Sequence, residues 1–560
     1  LPPTFAGGIF PDPRRILGPY RMPRLQVPLL TVTAVLVVLV HVVVALITPY
    51  EFHRDEFLYM AMGEHLRLFA MDFPPLIAIL AELQRGLFGD SLFALRISPA
   101  LAHGGLVLAT GWIAWALGGG GLAQVLAITP VATAPLFLRA GTLFQPVVFD
   151  QLWWTAALAA LVAAAGIPGN RADARPIGRP GYGERILVRR PQAAAVPARA
   201  AWIGLGIAAG LGLMTKFSIG FLGIGVLAAL VVARREWLGQ PGPWIALGIG
   251  LLIGLPSLAG QFALGFPFLT QMGDLQATQL ERIGWVEWWL ELVLMHGPLA
   301  FALAAAGAWA LLAHRDFVRW RVVGWSCLVA FAVILLLRGK AYYVGPVFPT
   351  LYAAGAVFAV RAAHRLRRPA MLAAGAVAML LIAAWGLSVL PLVLPILPPA
   401  RTAAFADRLG LTQATVTNTG EVLELPQDYA DMMGWEPKVE RIARVWHSLP
   451  PEDRQRAVIV AGNYGQAGAI DFYGPAHELP RAVAPVGSYW FWGPGDLPGD
   501  VVVKVGGSAE ELAPFCGDLE LATRIEGTWV VPEERDLPVW ICRDPPMTLQ
   551  QIWPRFEGEN

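Results

Sequence analysis

Charge is scarce in this chain. Of its 560 residues only 15% are Asp, Glu, Lys or Arg, while 56% are hydrophobic, and the mean hydropathy is +0.54. Such a composition would be unusual for a soluble globular protein. The net charge is +1, so no surface for nucleic acid is expected. There is no H-x-x-H and no cysteine cluster, so no metal site is expected. Also missing are a G-x-G-x-x-G after a strand and a Walker sequence, the usual marks of nucleotide binding. No cleavable signal-peptide pattern is seen: residues up to Arg24 are Pro- and Arg-rich, and the apolar run behind them is long enough to span a membrane.

What is present is a series of long apolar segments. They lie near Val27–Thr48, Leu92–Leu117, Gly121–Leu138, Val147–Gly166, Trp244–Leu264, Leu290–Ala313, Val322–Leu337, Val344–Val360 and Met371–Pro395. Ala201–Val232 reads as two short spans meeting near Lys216. The expectation is about eleven transmembrane helices, each near the ~20 residues that cross a bilayer. Arginines gather at Arg14, Arg15, Arg21 and Arg24, at Arg171–Arg199, at Arg234 and Arg235, at Arg315–Arg321 and at Arg361–Arg368. With Ala201–Val232 crossing twice, every cluster falls on one side, which the positive-inside rule makes the cytoplasm. Asp55, Asp150, Lys216, Arg338 and Lys340 then face outside. Gly166–Arg199 reads as a cytoplasmic loop. Phe266–Trp289 reads as an outer loop in which Trp285, Trp288 and Trp289 form an interface belt.

Between the first two spans lies Glu51–Leu76, around which the rest is organised. It carries Asp55-Glu56, then a helical pattern with Leu58, Met62, Leu66 and Phe69 on one stripe. Such a helix can lie at the membrane surface and hold its first-turn carboxylates near water. Leu76–Phe88, too short to span and broken by Glu82 and Arg85, reads as a second interfacial helix. After Pro399 charge returns. Ala457–Ala461, Val501–Val505 and Val539–Cys542 read as strands and Asp428–Leu449 as helix, a small α/β domain outside the membrane. Cys516 and Cys542 share that domain, where an oxidising compartment permits a disulfide; two buried thiols are the plainer alternative.

Each candidate has an ordinary explanation. Asp55 and Glu56 could merely complement a helix dipole, but uncompensated charge beside an apolar bundle is costly. Arg96 could snorkel. Asp150 could be a first-turn acid. Lys216 interrupts more than thirty apolar residues and is expensive unless paired or at a turn. Arg338 and Lys340, with Tyr342 and Tyr343, could anchor at the interface. His41, His103 and His296 read as helix-packing groups.

Several motifs resemble glycosyltransferase family 39, whose relatives include protein O-mannosyltransferases and lipid A aminoarabinose transferases. They are the acidic pair after the first span, the D-x-P-P-L turn at Asp72, LRISPALAHG, VVFDQLWW, GLGLMTKFSIG and GKAYYVGPVFP. The resemblance covers roughly the first two thirds of the chain, the scale of a multi-helix membrane domain. It implies the GT-C fold and inverting transfer of a sugar from a polyprenyl-phosphate donor to an acceptor hydroxyl on a lipid, glycan or protein. By resemblance Asp55 is the base and Glu56 orients acceptor or donor. Arg96, Lys216, Arg338 and Lys340 face the donor phosphate, with Asp150, Tyr342 and Tyr343 near the site. No cofactor is expected beyond the lipid-linked donor, with a divalent ion left open. The implied location is the bacterial cytoplasmic membrane, N-terminus inside and C-terminal domain outside. The expected division is a cytoplasmic segment 1–26, a catalytic membrane domain 27–398 with its outer loop 50–92 and cytoplasmic loop 167–200, and an extracytoplasmic domain 399–560. The rival readings are a transporter or flippase, which predicts paired internal repeats and broken helices, and a non-catalytic receptor.

Overall fold

The computed structural model describes residues 23–166, 198–280, 283–410, 415–418 and 420–556. Most of the expected cytoplasmic loop 167–200, and Arg14, Arg15 and Arg21, lie outside these residues. Seven helices are long and apolar enough to cross a membrane, and two bent pairs pass the same test together. Two shorter apolar helices, Ala198–Leu213 and Ile219–Ala233, meet around Lys216. The chain is a multi-pass membrane protein.

Two segments that the sequence suggests as straight spans are broken. Gly121–Thr133 and Pro135–Thr142 meet at 58°, where Ala134, held extended before Pro135 (ψ 141°), cannot continue the helix. Trp285–His296 and Pro298–Ala313 meet at 100°. Gly297 supplies the positive φ of 83° that the corner needs. The break folds Trp288 inward, where it is buried and donates to the Gly339 carbonyl (2.7 Å), so it is not part of an interface belt. Trp285 and Trp289 remain exposed.

The arginine-bearing ends share one end of the bundle. Arg234 donates to the Arg319 carbonyl (3.1 Å) and Arg319 to the Gly166 carbonyl (3.4 Å). At the other end, the Met214 carbonyl accepts from Leu76 N–H (2.8 Å), which joins the Lys216 turn to the 50–92 loop.

That loop holds helices Arg54–Glu64 and Leu76–Phe88. The first is shorter than its apolar stripe suggests. Leu58 and Met62 are buried, but Leu66 and Phe69 lie beyond the helix and are exposed. Nor does the helix lie free on a surface: Glu56 to Gly63 are all buried.

The C-terminal domain is a five-stranded sheet of order β2-β1-β3-β5-β4. Its strands are β1 Ala457–Val460, β2 Ala482–Val483, β3 Val501–Val505, β4 Asp518–Glu526 and β5 Asp536–Arg543. β1 is parallel to β2 and β3, and β5 runs antiparallel to β3 and β4. Alternation sorts the faces. Ile459, Val501 and Val503 join the core with Trp435, Ile442 and Ile470 of the helices, while Val458, Val460, Val502 and Cys542 form a second cluster. Cys516 and Cys542 are joined by a disulfide at that second face. The first core does not stop at the domain edge: Phe52 and Phe57 of the loop pack edge-on or tilted against Phe472, Tyr473 and Trp435. Glu51 adds a polar tie, accepting from the N–H groups of Gly434, Trp435 and Glu436 at the start of helix Trp435–Ser448 (2.9, 2.7 and 3.0 Å), where an anion is favoured.

Candidate active site

Helix Arg54–Glu64 starts with His53 as its cap. The Asp55 N–H donates to His53 Nδ1 (3.1 Å), and Glu56 Oε2 accepts from the His53 N–H (2.8 Å). A neutral His53 therefore carries its proton on Nε2, which faces Asp428 Oδ1 at 3.8 Å and Asp431 Oδ2 at 3.9 Å.

The two adjacent acids have opposite environments. The Glu56 side chain is 0% exposed. It accepts from Arg96 twice (Nε to Oε1 2.9 Å, Nη2 to Oε2 2.7 Å) and from Phe144 N–H (2.9 Å). Burial alone would raise its pKa, but the charge and hydrogen bonds of Arg96 outweigh this and hold the carboxyl below its ordinary value. Arg96 is spent on this pair. Its side chain is 1% exposed, so it does not stand open to a phosphate as the resemblance implies. Asp55, by contrast, stays 25% exposed. Its Oδ2 accepts from Gln145 Nε2 (3.0 Å) and its Oδ1 from the Tyr464 hydroxyl (2.9 Å). Gln145 sits in the short turn between helices Pro135–Thr142 and Pro146–Gly166.

The cations gather nearby. Lys216 Nζ lies over the Tyr343 ring (4.2 Å) and the Tyr342 ring (5.5 Å), and its charge attracts buried Asp150. Asp150 Oδ2 accepts from the Ser218 hydroxyl in the same turn (2.7 Å). Lys340 Nζ donates to Asn418 Oδ1 of the C-terminal domain (2.8 Å). Burial draws the Lys340 ammonium below its usual range, with Tyr343 opposing and Lys216 reinforcing the shift. Tyr342, beside Lys216, lies within electrostatic reach of both Asp428 and Asp55. Arg338 has a different partner. At a left-handed φ of 53° it is exposed and lies over Trp285 (5.4 Å), whereas Lys340 bonds Asn418.

Other residues enter the region without having been singled out. Arg139 pairs with Asp428, and Arg54 with Glu533 (3.0 Å) and Asp431 (3.4 Å). Burial would raise Asp428, but Arg139 and His53 outweigh it and lower the carboxyl. Burial wins at Asp431, pushed up to about 6 against the pull of Arg54 and His53. It also wins at Asp72, raised to about 6, although Ser488 donates to Oδ2 (2.6 Å). Arg139 could have been found by the reasoning used for Lys216, being a lone cation in an apolar run. His53, Tyr464, Asp428 and Asp431 carried no such signal.

Among the described residues no group of three or more His, Cys, Asp or Glu is arranged to hold a metal ion. His41 and His103 instead bond each other (2.8 Å), and His296 bonds the Tyr352 hydroxyl (2.7 Å).

Helical bundle, outer-loop helices and appended α/β domain together make the GT-C fold. In the comparisons, residues 192–259 match the family described as dolichyl-phosphate-mannose-protein mannosyltransferase. This stretch includes the Lys216 turn. Two solved structures share the fold. They are ArnT from Cupriavidus metallidurans bound to undecaprenyl phosphate, with TM-score 0.55 and 16% identity, and the same protein in the apo state, with TM-score 0.56 and 17% identity. Each alignment covers 92% of this chain and 97% of the other. The archaeal oligosaccharyltransferase AglB from Archaeoglobus fulgidus, solved with an inhibitory peptide and a dolichol-phosphate, aligns at TM-score 0.48 and 13% identity, covering 85% of this chain and 69% of that one. No curated protein matches. The family match is confined to residues 192–259, and the ArnT structures show a shared GT-C fold.

Proposed function

We propose that this protein transfers a sugar from a polyprenyl-phosphate-linked donor to an acceptor hydroxyl at the outer face of a cytoplasmic membrane, with inversion at the anomeric carbon. The observation that carries this reading is the placing of a partly exposed carboxylate, Asp55, at the end of the bundle that also carries Lys216, over the Tyr343 ring, and Lys340, bonded to Asn418 of the C-terminal domain. Asp55 takes the proton of the acceptor hydroxyl. The acceptor oxygen bonds to the anomeric carbon as the carbon–oxygen bond to phosphate breaks. The bonding pair leaves with polyprenyl phosphate, whose charge Lys216 and Lys340 offset in a low-dielectric setting, with the Tyr342 and Tyr343 rings against Lys216. Glu56, sealed against Arg96, holds the helix that presents Asp55. Asp150 orders the Lys216 turn. The ArnT complex with undecaprenyl phosphate supports a lipid-phosphate donor through the shared fold.

Purified protein incubated with a panel of radiolabelled polyprenyl-phosphate sugars and membrane acceptors tests the proposal. Label should pass to an acceptor from at least one donor. Failure with every donor, alongside uptake of a lipid-linked sugar into sealed vesicles, would replace it with transport.

A further inference from the structure

The C-terminal domain reaches the proposed base. Helix Tyr464–Tyr473 is capped by Asn463, whose side chain accepts from Gln466 N–H (2.9 Å). Gly465 and Gly468, three residues apart and so on one face, lie against helix Arg54–Glu64. A Cβ at Gly468 would stand 2.7 Å from Phe57 Cβ and 3.0 Å from its carbonyl carbon; one at Gly465 would stand 3.0 Å from Arg54 Cβ. The two backbones close because these positions carry no side chain. That approach sets Tyr464, the first residue of its helix, against Asp55, with the hydroxyl donating to Oδ1 (2.9 Å). The Tyr464 ring lies under the Arg54 guanidinium (4.9 Å), which is itself tied to Glu533 and Asp431 of the same domain.

We infer that Tyr464 is a positioning residue for Asp55, so that the C-terminal domain completes the active site. The inference rests on Asp55 being the base. Gln145 of the bundle holds one carboxylate oxygen and Tyr464 the other, which fixes the plane of the group. An ionised carboxylate has about four acceptor positions, so an acceptor hydroxyl can still bind. Without the Tyr464 hydroxyl the carboxylate turns more freely and spends less time aligned with the acceptor.

Tyr464→Phe keeps the ring and its contact with Arg54 and removes only the hydroxyl. Initial rates on the full-length protein, with donor and acceptor varied in turn, should show kcat lower by about tenfold, within the loss expected from a slightly misplaced catalytic group. Donor KM, polyprenyl-phosphate binding and the thermal midpoint should stay unchanged, a split that a purely structural role would not produce. Gly468→Val, which forces the two helices apart, should lower kcat in the same way while donor binding persists. Asp55→Asn, assayed alongside, separates the two possible failures. If Asp55→Asn is inactive and Tyr464→Phe has the wild-type kcat, the positioning role is overturned and the base assignment stands. If Tyr464→Phe raises donor KM at constant kcat, Tyr464 serves the donor and the inference is overturned. A fully active Asp55→Asn overturns both.

Discussion

Glu56→Gln and Arg96→Met distinguish an internal strut from a phosphate ligand. Glu56 accepts four hydrogen bonds, two from Arg96 and two from backbone N–H groups, with no access to water. Glutamine keeps the size, but its amide nitrogen would turn a donor towards either the Arg96 guanidinium and the His53 N–H or the other Arg96 nitrogen and the Phe144 N–H. The guanidinium would then be a buried charge with little else to satisfy it, since its remaining contacts are the Glu51 carbonyl (3.3 Å) and Met432 sulfur (3.5 Å). Removing one partner of such a pair costs about 3–5 kcal/mol. Either single substitution should therefore lower the midpoint of thermal unfolding in detergent. The double substitution should lower it by less than the two singles added together, the mark of direct coupling. Binding of polyprenyl phosphate to folded Arg96→Met should be close to wild type. A tenfold loss of lipid-phosphate affinity (about 1.4 kcal/mol) at an unchanged midpoint would refute this and return Arg96 to the phosphate.

Lys216→Ala or Lys340→Ala should weaken binding of polyprenyl phosphate. Each removes a charge-assisted contact of about 1.5–3 kcal/mol, and titration of tryptophan fluorescence or calorimetry would read the loss. Asp72 gives a pH dependence. Its folded carboxyl, raised to about 6 from the ordinary 3.8, binds a proton more tightly than in the unfolded chain. Its contribution to stability is thus present below about pH 4 and is lost as pH rises through about 6. Asp72→Asn should leave the thermal midpoint nearly unchanged at low pH and raise it relative to wild type at pH above the folded value; a shift independent of pH would contradict the assignment.

The fold was legible in the sequence mainly where a pattern repeats over one element. Long apolar runs mark the spans, and the short, nearly continuous apolar runs AVIV and VVVKV mark β1 and β3. β4 was missed although Leu519, Leu521, Thr523 and Ile525 alternate with mostly polar residues; the strand is largely exposed and its register breaks between Leu521 and Thr523. The two bends sit at Ala134-Pro135 and Gly297-Pro298, signals present in the sequence but outweighed by uninterrupted hydropathy. The composition of the site was partly legible, because a carboxylate or lysine beside an apolar run is costly without a reason. Its connections were not. Arg96 finds Glu56 across 40 residues, Arg139 finds Asp428 across 289, and Tyr464 finds Asp55 across 409. Those contacts depend on how helices and domain dock, and neither spacing nor propensity encodes that docking locally. Hence Asp55 and Glu56 look alike in sequence, while folding exposes one and seals the other.

Asp55 as the base is the central proposal. The most direct measurement is the transfer rate of Asp55→Asn under saturating donor and acceptor, with polyprenyl-phosphate binding measured on the same preparation. Asparagine preserves size and keeps an oxygen for either Gln145 or Tyr464, but it cannot take the acceptor proton. General-base assistance is worth about 10²–10⁴-fold, so turnover should fall by that order while lipid-phosphate binding, assigned to Lys216 and Lys340, changes little. Transfer at the wild-type rate by a normally folded Asp55→Asn protein would contradict the account.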